Sequence, residues 1–156
     1  MTPEPGFERF YETEAPSVFR AVYLLCGDRV LAEDATQEAF ARALERWERL
    51  RTQPWAGGWV TTTALNVARR GMRRGRRLRL AARDDPTSVE ETIDLWARVK
   101  DLPRRQQEAV VLHYRMGLSV EEVADVMDCR EGTVRTHLAR AREGLRAALT
   151  GGSDGD

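Results

Sequence analysis

The sequence predicts an all-α protein built from two small helical domains joined by a flexible linker. Apolar residues recur at steps of three and four over most of the chain, the spacing that gathers them on one face of a helix. Alternation of apolar and polar residues over a useful strand length occurs nowhere. Between Arg76 and Val89 no stable period survives, and Asp84, Asp85, Pro86, Thr87 and Ser88 supply turn-forming residues, so a linker is expected there. The expected boundaries are 1–75 for the N-terminal domain, 76–89 for the linker, 90–150 for the C-terminal domain and 151–156 for a disordered tail.

Phe7, Phe10 and Tyr11 begin an apolar face. Pro16 can then open a helix carrying Val18, Phe19, Val22 and Leu25 as far as Gly27, since proline suits a first turn and glycine a C-terminal stop. A long helix is expected from Asp28 or a neighbour, with Leu31, Ala35, Ala39, Ala43, Trp47 and Leu50 along it, mostly four apart. After Thr52, Gln53 and Pro54 a further helix is expected over 58–74, weakened by three consecutive threonines. In the second domain Ile93, Trp96 and Val99 mark one helix, and Pro103 opens another that holds Ala109, Val110 and Tyr114 and closes at Gly117. Ser119 and Glu122 form a capping box, each side chain answering the other's backbone N–H, and this opens a short helix over 120–127. A turn over 128–131 leads into a last helix with Val134, Leu138, Ala141, Leu145 and Leu149 on one face.

A length of 156 residues, 42% hydrophobic and 32% charged, allows one ordinary domain or two small ones and suits a soluble helical protein. No run approaches the ~18 apolar residues of a membrane span, and the opening MTPEPGFERFYETE lacks the basic-then-apolar order of an export signal. The expected location is the cytoplasm, without direct membrane insertion. Cys26 and Cys129 are far apart with no Cys-x-x-Cys or Cys/His cluster, which favours reduced packing residues over a disulfide or a metal site. Net charge is zero, but the charges are segregated: residues 51–83 hold 9 arginines and no acid, whereas residues 84–128 hold 11 acids against 5 bases. Separate acidic and basic blocks imply separate surfaces for separate partners, the basic ones being candidates for phosphate.

The stretch REGTVRTHLARAREGLRAAL, residues 130–149, carries five arginines and no lysine. A short helix, a tight turn and a second helix with one apolar and one basic face is a helix-turn-helix arrangement, whose second helix enters the DNA major groove. Guanidinium groups suit that task because they bind guanine O6 and N7 in a bidentate manner or grip phosphate. Arg135 and Arg140 are the candidates for base edges, with Thr136 and Glu131 beside them, while Arg142 and Arg146 lie farther along and would meet phosphate or solvent. The competing reading of the same residues is a helix whose outer face is merely solvated.

Two sets of motifs, in order, make the chain similar to the extracytoplasmic-function (ECF) sigma factors, small promoter-specificity subunits of bacterial RNA polymerase in the sigma-70 family. LPRRQQEAVVLHYRMGLSVEEVADVMDCREGTVRTHLARAREGLRAAL resembles their region 4, AEDATQEAFARAL the polymerase-binding segment of their region 2, and WVTTTALNVARRGMRR the promoter-melting segment. The resemblance implies that Asp34, Gln37, Glu38 and Phe40 dock on the clamp helices of the largest polymerase subunit, with the flap of the second-largest subunit as a further contact. It implies that Asn66 helps hold an extruded base of the minus-ten element, that Trp55 and Trp59 shape that pocket, and that Arg69, Arg70, Arg73, Arg74, Arg76 and Arg77 hold nearby phosphates. At the minus-thirty-five element it implies contacts from Arg130, Glu131, Thr133, Arg135, Thr136 and Arg140.

Departures from the family pattern are Thr63, where a bulky aliphatic is usual, Arg130, where a serine cap is common, and the short glycine-rich loop RTQPWAGG. The implied function is promoter-directed initiation with no catalysis by this chain, no cofactor and no metal, the partners being core polymerase, promoter DNA and an anti-sigma factor. The rival is a stand-alone helix-turn-helix repressor or activator, which would leave the first domain unexplained. An enzyme is disfavoured because His113 and His137 are remote in sequence and no phosphate-binding loop or metal-spaced acid cluster is present.

Overall fold

The computed structural model describes residues 6–75 and 90–153, and every regular element among them is helical. The linker expected over 76–89, with Arg76 and Arg77, lies outside the described residues, as do 154–156. The chain divides into two compact units, Met1–Asp85 and Pro86–Asp156. No described helix is long and apolar enough to cross a membrane.

The first unit is formed by α1 (Phe7–Cys26), α2 (Arg29–Glu45), a short α3 (Trp47–Leu50) and α4 (Ala56–Gly75). α1 does not begin at Pro16, as the proline suggested, but runs continuously through it. The lost hydrogen bond at a mid-helix proline is costly, and it is offset by what the preceding turns bury. Phe7 and Phe10 pack on Trp47 with centroids 5.4 and 5.0 Å away, and Tyr11 meets Phe40 edge-on at 4.9 Å. Gly27, at φ 71, ends α1 by donating its N–H to the Tyr23 carbonyl. Asp28 then caps α2, its side chain accepting from the Leu31 N–H at 3.0 Å.

The single long second helix expected from the sequence is broken at Arg46, whose N–H is shared between the Ala43 and Leu44 carbonyls. With the chain redirected there, both Trp47 and Leu50 are buried. Ala32, Ala35, Ala39 and Ala43 are wholly buried, so α2 shows its neighbours a face of methyl groups and the backbones can approach closely. Val60, Ala64, Leu65 and Ala68 of α4 and Val18, Val22 and Leu25 of α1 close this core. Thr36 and Thr61 are buried as well, each hydroxyl bonded to the carbonyl one turn back, of Ala32 at 2.7 Å and of Gly57 at 2.8 Å.

The second unit comprises α5 (Glu90–Val99), α6 (Arg104–Val110), which continues into a wide π-helical turn at Val111–Arg115, then α7 (Val120–Met127) and α8 (Glu131–Ser153). Gln107 is buried and bonds the carbonyls of Val99 and Lys100, satisfying the open end of α5. α7 has the bounds and the capping box expected from Ser119 and Glu122. Asp128, at φ 54, turns the chain out of α7, and α8 follows after Arg130. Val123, Ala124, Met127, Val134, Leu138 and Ala141 pack with Val110, Val111 and Leu112 into the core that seats α8. α8 runs to Ser153, three residues past the domain end expected at 150. Extending a helix already formed needs only one further residue fixed per hydrogen bond.

Candidate nucleic-acid interface

The face of α8 turned away from this core is polar. Glu131, Gly132, Thr133, Arg135, Thr136, Arg140 and Arg142 are exposed, while Val134, Leu138 and Ala141 are buried beneath them. Arg130 is exposed in the turn and takes the place of a cap, its carbonyl accepting from the Val134 N–H at 3.1 Å. Glu131, in the first turn, supplies the negative charge that a helix N-terminus favours. Arg135 reaches back to Glu131 at 3.4 Å, an exposed pair that holds the side chain weakly enough to exchange for another anion. The Thr136 hydroxyl bonds the Gly132 carbonyl at 3.0 Å. Arg142 donates to the Tyr114 hydroxyl at 2.9 Å, tying α8 to the π-helical turn. His137, half-buried, has its imidazole pushed below its ordinary value, first by burial and then by the nearby positive charges of Arg105 and Arg140, with Glu108 pulling the other way.

On α4, Trp59, Thr62, Asn66, Arg69 and Arg73 follow one another at steps of three and four, a single stripe opposite the buried Val60, Ala64 and Ala68. The Arg69 guanidinium donates to Asn66 Oδ1 at 2.8 Å. Trp55 precedes the helix, half-buried, and its carbonyl accepts from the Trp59 N–H at 3.0 Å. The Trp59 ring, also half-buried, carries the Arg46 guanidinium 5.6 Å from its centroid. The Thr61 and Thr63 hydroxyls bond back to Gly57 and Trp59, so the departure at Thr63 is accommodated by a local hydrogen bond rather than by apolar packing. The Thr62 hydroxyl between them is buried with no hydrogen-bond partner. Arg70, Arg73 and Arg74 are exposed toward the end of the helix.

On α2, Asp34, Gln37 and Glu38 are exposed, with Val30 and Leu44 the exposed large apolar residues of the same helix. Gln37 donates to the Tyr11 hydroxyl at 2.8 Å, and Glu38 pairs with Arg42 one turn on. Phe40 is different. It is 2% exposed, held among Phe7, Phe10 and Tyr11, so it braces α2 from inside and cannot itself form part of an exposed docking face as expected. Sequence reasoning also passed over Arg46, Arg105 and Glu108, and counted Tyr114 only among the residues of its helix. Arg105 and Glu108 stand three apart, a spacing that permits a helical ion pair, but nothing local tells that the acid is buried.

The two units thus define a helix-turn-helix protein with a second helical body that displays an acidic face on α2 and a basic stripe on α4. Residues 10–78 match the family described as Sigma-70 region 2, and residues 93–145 match Sigma-70, region 4. The chain is 31% identical over 153 residues to ECF RNA polymerase sigma factor SigC of Mycobacterium tuberculosis, covering 91% of this chain and 82% of that protein. It is 34% identical over 159 residues to ECF RNA polymerase sigma factor BldN of Streptomyces coelicolor, covering 92% of this chain but only 60% of that longer relative. Its fold is similar to that of the sigma factor RpoE of Bartonella quintana, solved in complex with the anti-sigma factor NepR, with a TM-score of 0.72 at 22% identity over 94% of this chain and 98% of that one. It is also similar to CnrH, solved in complex with the cytosolic domain of CnrY, with a TM-score of 0.70 at 21% identity over 93% of this chain and 88% of that one. The chain belongs to the ECF RNA polymerase sigma factors of the sigma-70 family.

Proposed function

We propose that this chain joins core RNA polymerase and directs it to promoters, reading the minus-thirty-five element with α8 and opening the minus-ten element with α4. The observation that carries this reading is the arginine-bearing, outward face of α8 on a capped helix-turn-helix, in a chain whose two halves match sigma regions 2 and 4 in order. Exposed Arg135 and Arg140 are assigned to base edges, with Arg130, Glu131, Thr133 and Thr136 around them. Asn66, on the same stripe of α4 as Trp59, is assigned to an extruded base, with Trp55 just before the helix, and Arg69, Arg70, Arg73 and Arg74 are assigned to the DNA backbone. Asp34, Gln37 and Glu38 form the docking face for the clamp helices of the largest subunit. The chain works in the cytoplasm and performs no chemistry of its own, since phosphodiester synthesis belongs to the polymerase. A sigma factor of the same fold, solved in complex with an anti-sigma factor, supports a partner of that kind here.

The test is reconstitution. Purified chain added to core polymerase on a fork-junction promoter is expected to raise specific transcription, and reversing Asp34 and Glu38 together to Arg is expected to abolish co-purification with the core enzyme while the helical content stays unchanged. Tight duplex binding with no gain in transcription would instead identify a stand-alone regulator.

A further inference from the structure

Glu108 is the one carboxylate among the described residues that is buried, at 1% exposure, and it lies directly beneath the helix-turn-helix. Two cations hold it: Arg104 Nε at 3.2 Å from Oε1 and Arg105 Nη1 at 2.9 Å from Oε2. A buried carboxylate with no cation beside it would be strongly destabilising, so at least one of the two arginines must stay paired with Glu108. Arg105 does something more. Its second terminal nitrogen, Nη2, donates to the carbonyl of Met127, the last residue of α7. The next residue, Asp128, is the left-handed turn that swings the chain toward α8. One guanidinium fork therefore joins a fixed, buried anion on α6 to the carbonyl from which the helix-turn-helix turn departs. Its charge also lies at the negative end of the α7 dipole.

We propose that Arg105, anchored on Glu108, is a positioning residue for promoter reading: it fixes the exit of α7 and thereby the placement of the first turns of α8, on which Thr133, Arg135 and Thr136 stand. The assignment rests on the reading of α8 as the helix that reads the minus-thirty-five element. Arg104 keeps Glu108 paired when Arg105 is removed, so the loss falls on the turn rather than on the core. A strut of this kind governs which sequence is preferred, because base contacts need the side chains placed closely, whereas phosphate contacts tolerate displacement. A lysine at the same position retains the charge but has no planar fork with which to bridge both acceptors in this way.

The experiment assembles the full chain with core polymerase and challenges it with promoter fragments randomised across the minus-thirty-five element, sequencing the bound fraction at several salt concentrations. Wild type is expected to enrich a defined element. Arg105→Ala should flatten that enrichment by roughly tenfold, the discrimination carried by about one base contact, with binding to scrambled elements and the salt slope unchanged, and Arg105→Lys should restore part of it. A uniform loss on all sequences with a salt slope lower by about one would make Arg105 a phosphate contact and overturn the proposal. Unaltered enrichment would overturn it as well. Should Arg105→Ala fail to unfold cooperatively, Arg105→Lys carries the test alone: wild-type enrichment refutes the strut, and flattened enrichment at an unchanged salt slope supports it. If wild type itself enriches nothing, the promoter-reading role of α8 fails, and this inference falls with it.

Discussion

Leu31 of α2 fills the space that a side chain on Gly71 of α4 would occupy: a β-carbon on Gly71 would collide with Leu31 Cδ1. The two helices cross here with only hydrogen on one side, which accounts for a glycine near the end of α4. Gly71→Ala should gain about 1 kcal/mol of helix propensity and lose about 1–3 kcal/mol to overpacking, giving a net loss. Gly132, in the first turn of α8, meets nothing within 4 Å of an added β-carbon. There the same substitution should stabilise, by up to about 1 kcal/mol. Urea unfolding of the two variants should move in opposite directions, and a stabilised Gly71→Ala would show that the crossing has slack.

Glu14 is predicted to weaken the N-terminal unit at neutral pH. Its carboxyl is raised above the usual range by burial, in a recess it shares with Arg9, Phe10, Thr13, Trp47 and Arg51, and a β-carbon on Gly57 would lie 2.7 Å from its Oε2. A folded-state value above the unfolded one means that the native state binds more protons in that window. Stability from this group is therefore present at low pH and is lost as pH rises through the folded value. Glu14→Gln should raise the urea midpoint near pH ~7, with a smaller gain near pH ~4. An equal gain at both would point to packing rather than charge.

The sign is opposite in effect for His137, whose imidazole is held below its ordinary value of 6.5. The unfolded chain binds the proton more readily than the native one, so stability is full above pH 6.5 and falls as pH drops below it toward the folded value. The C-terminal unit should unfold more easily at pH ~5.5 than at pH ~7.5, and His137→Gln should lessen that difference. Unchanged pH dependence in the variant would assign the acid sensitivity to other groups.

On DNA, Arg135→Ala and Arg140→Ala should each cost about 1–3 kcal/mol at particular bases of the minus-thirty-five element. Arg74→Ala, at the exposed end of α4, should instead weaken binding evenly across sequences and lower the salt slope by about one. Equal losses on cognate and scrambled elements for the α8 variants would remove their base-reading role.

Legibility in the sequence followed the range of the interaction responsible. The bounds of α7 could be read because Ser119 and Glu122 are three residues apart and answer only each other. Pro16 misled because the local rule for proline was outweighed by Phe7, Phe10 and Tyr11 meeting Phe40 and Trp47, far along the chain. The break at Arg46 left no local mark, since the spacing of Ala43, Trp47 and Leu50 is compatible with a continuous helix. Phe40 could have been placed correctly: it falls four after Thr36 and three before Ala43, on the inner face of α2, although the family pattern puts it in the docking segment. The outward arginines of α8 were legible because an apolar stripe fixes, by elimination, what faces away from it. The bridge from Arg105 to Met127 was not, because it spans 22 positions.

The π-helical turn holds one residue more than an α-helix would need to cover the same span. Met116 bonds back to Val111 five residues away, at 2.9 Å, and the Leu118 carbonyl accepts from His113 Nδ1 at 2.7 Å, so the stretch is stitched shut around one surplus residue. Excising that residue would tighten the turn into ordinary α-helix and rotate the downstream segment by about 100°, a swing the short connection before Ser119 is placed to take up. Val111 and Leu112, which open the turn, are wholly buried, so only a loss at its outward side, at Tyr114, would leave the hydrophobic centre as it is.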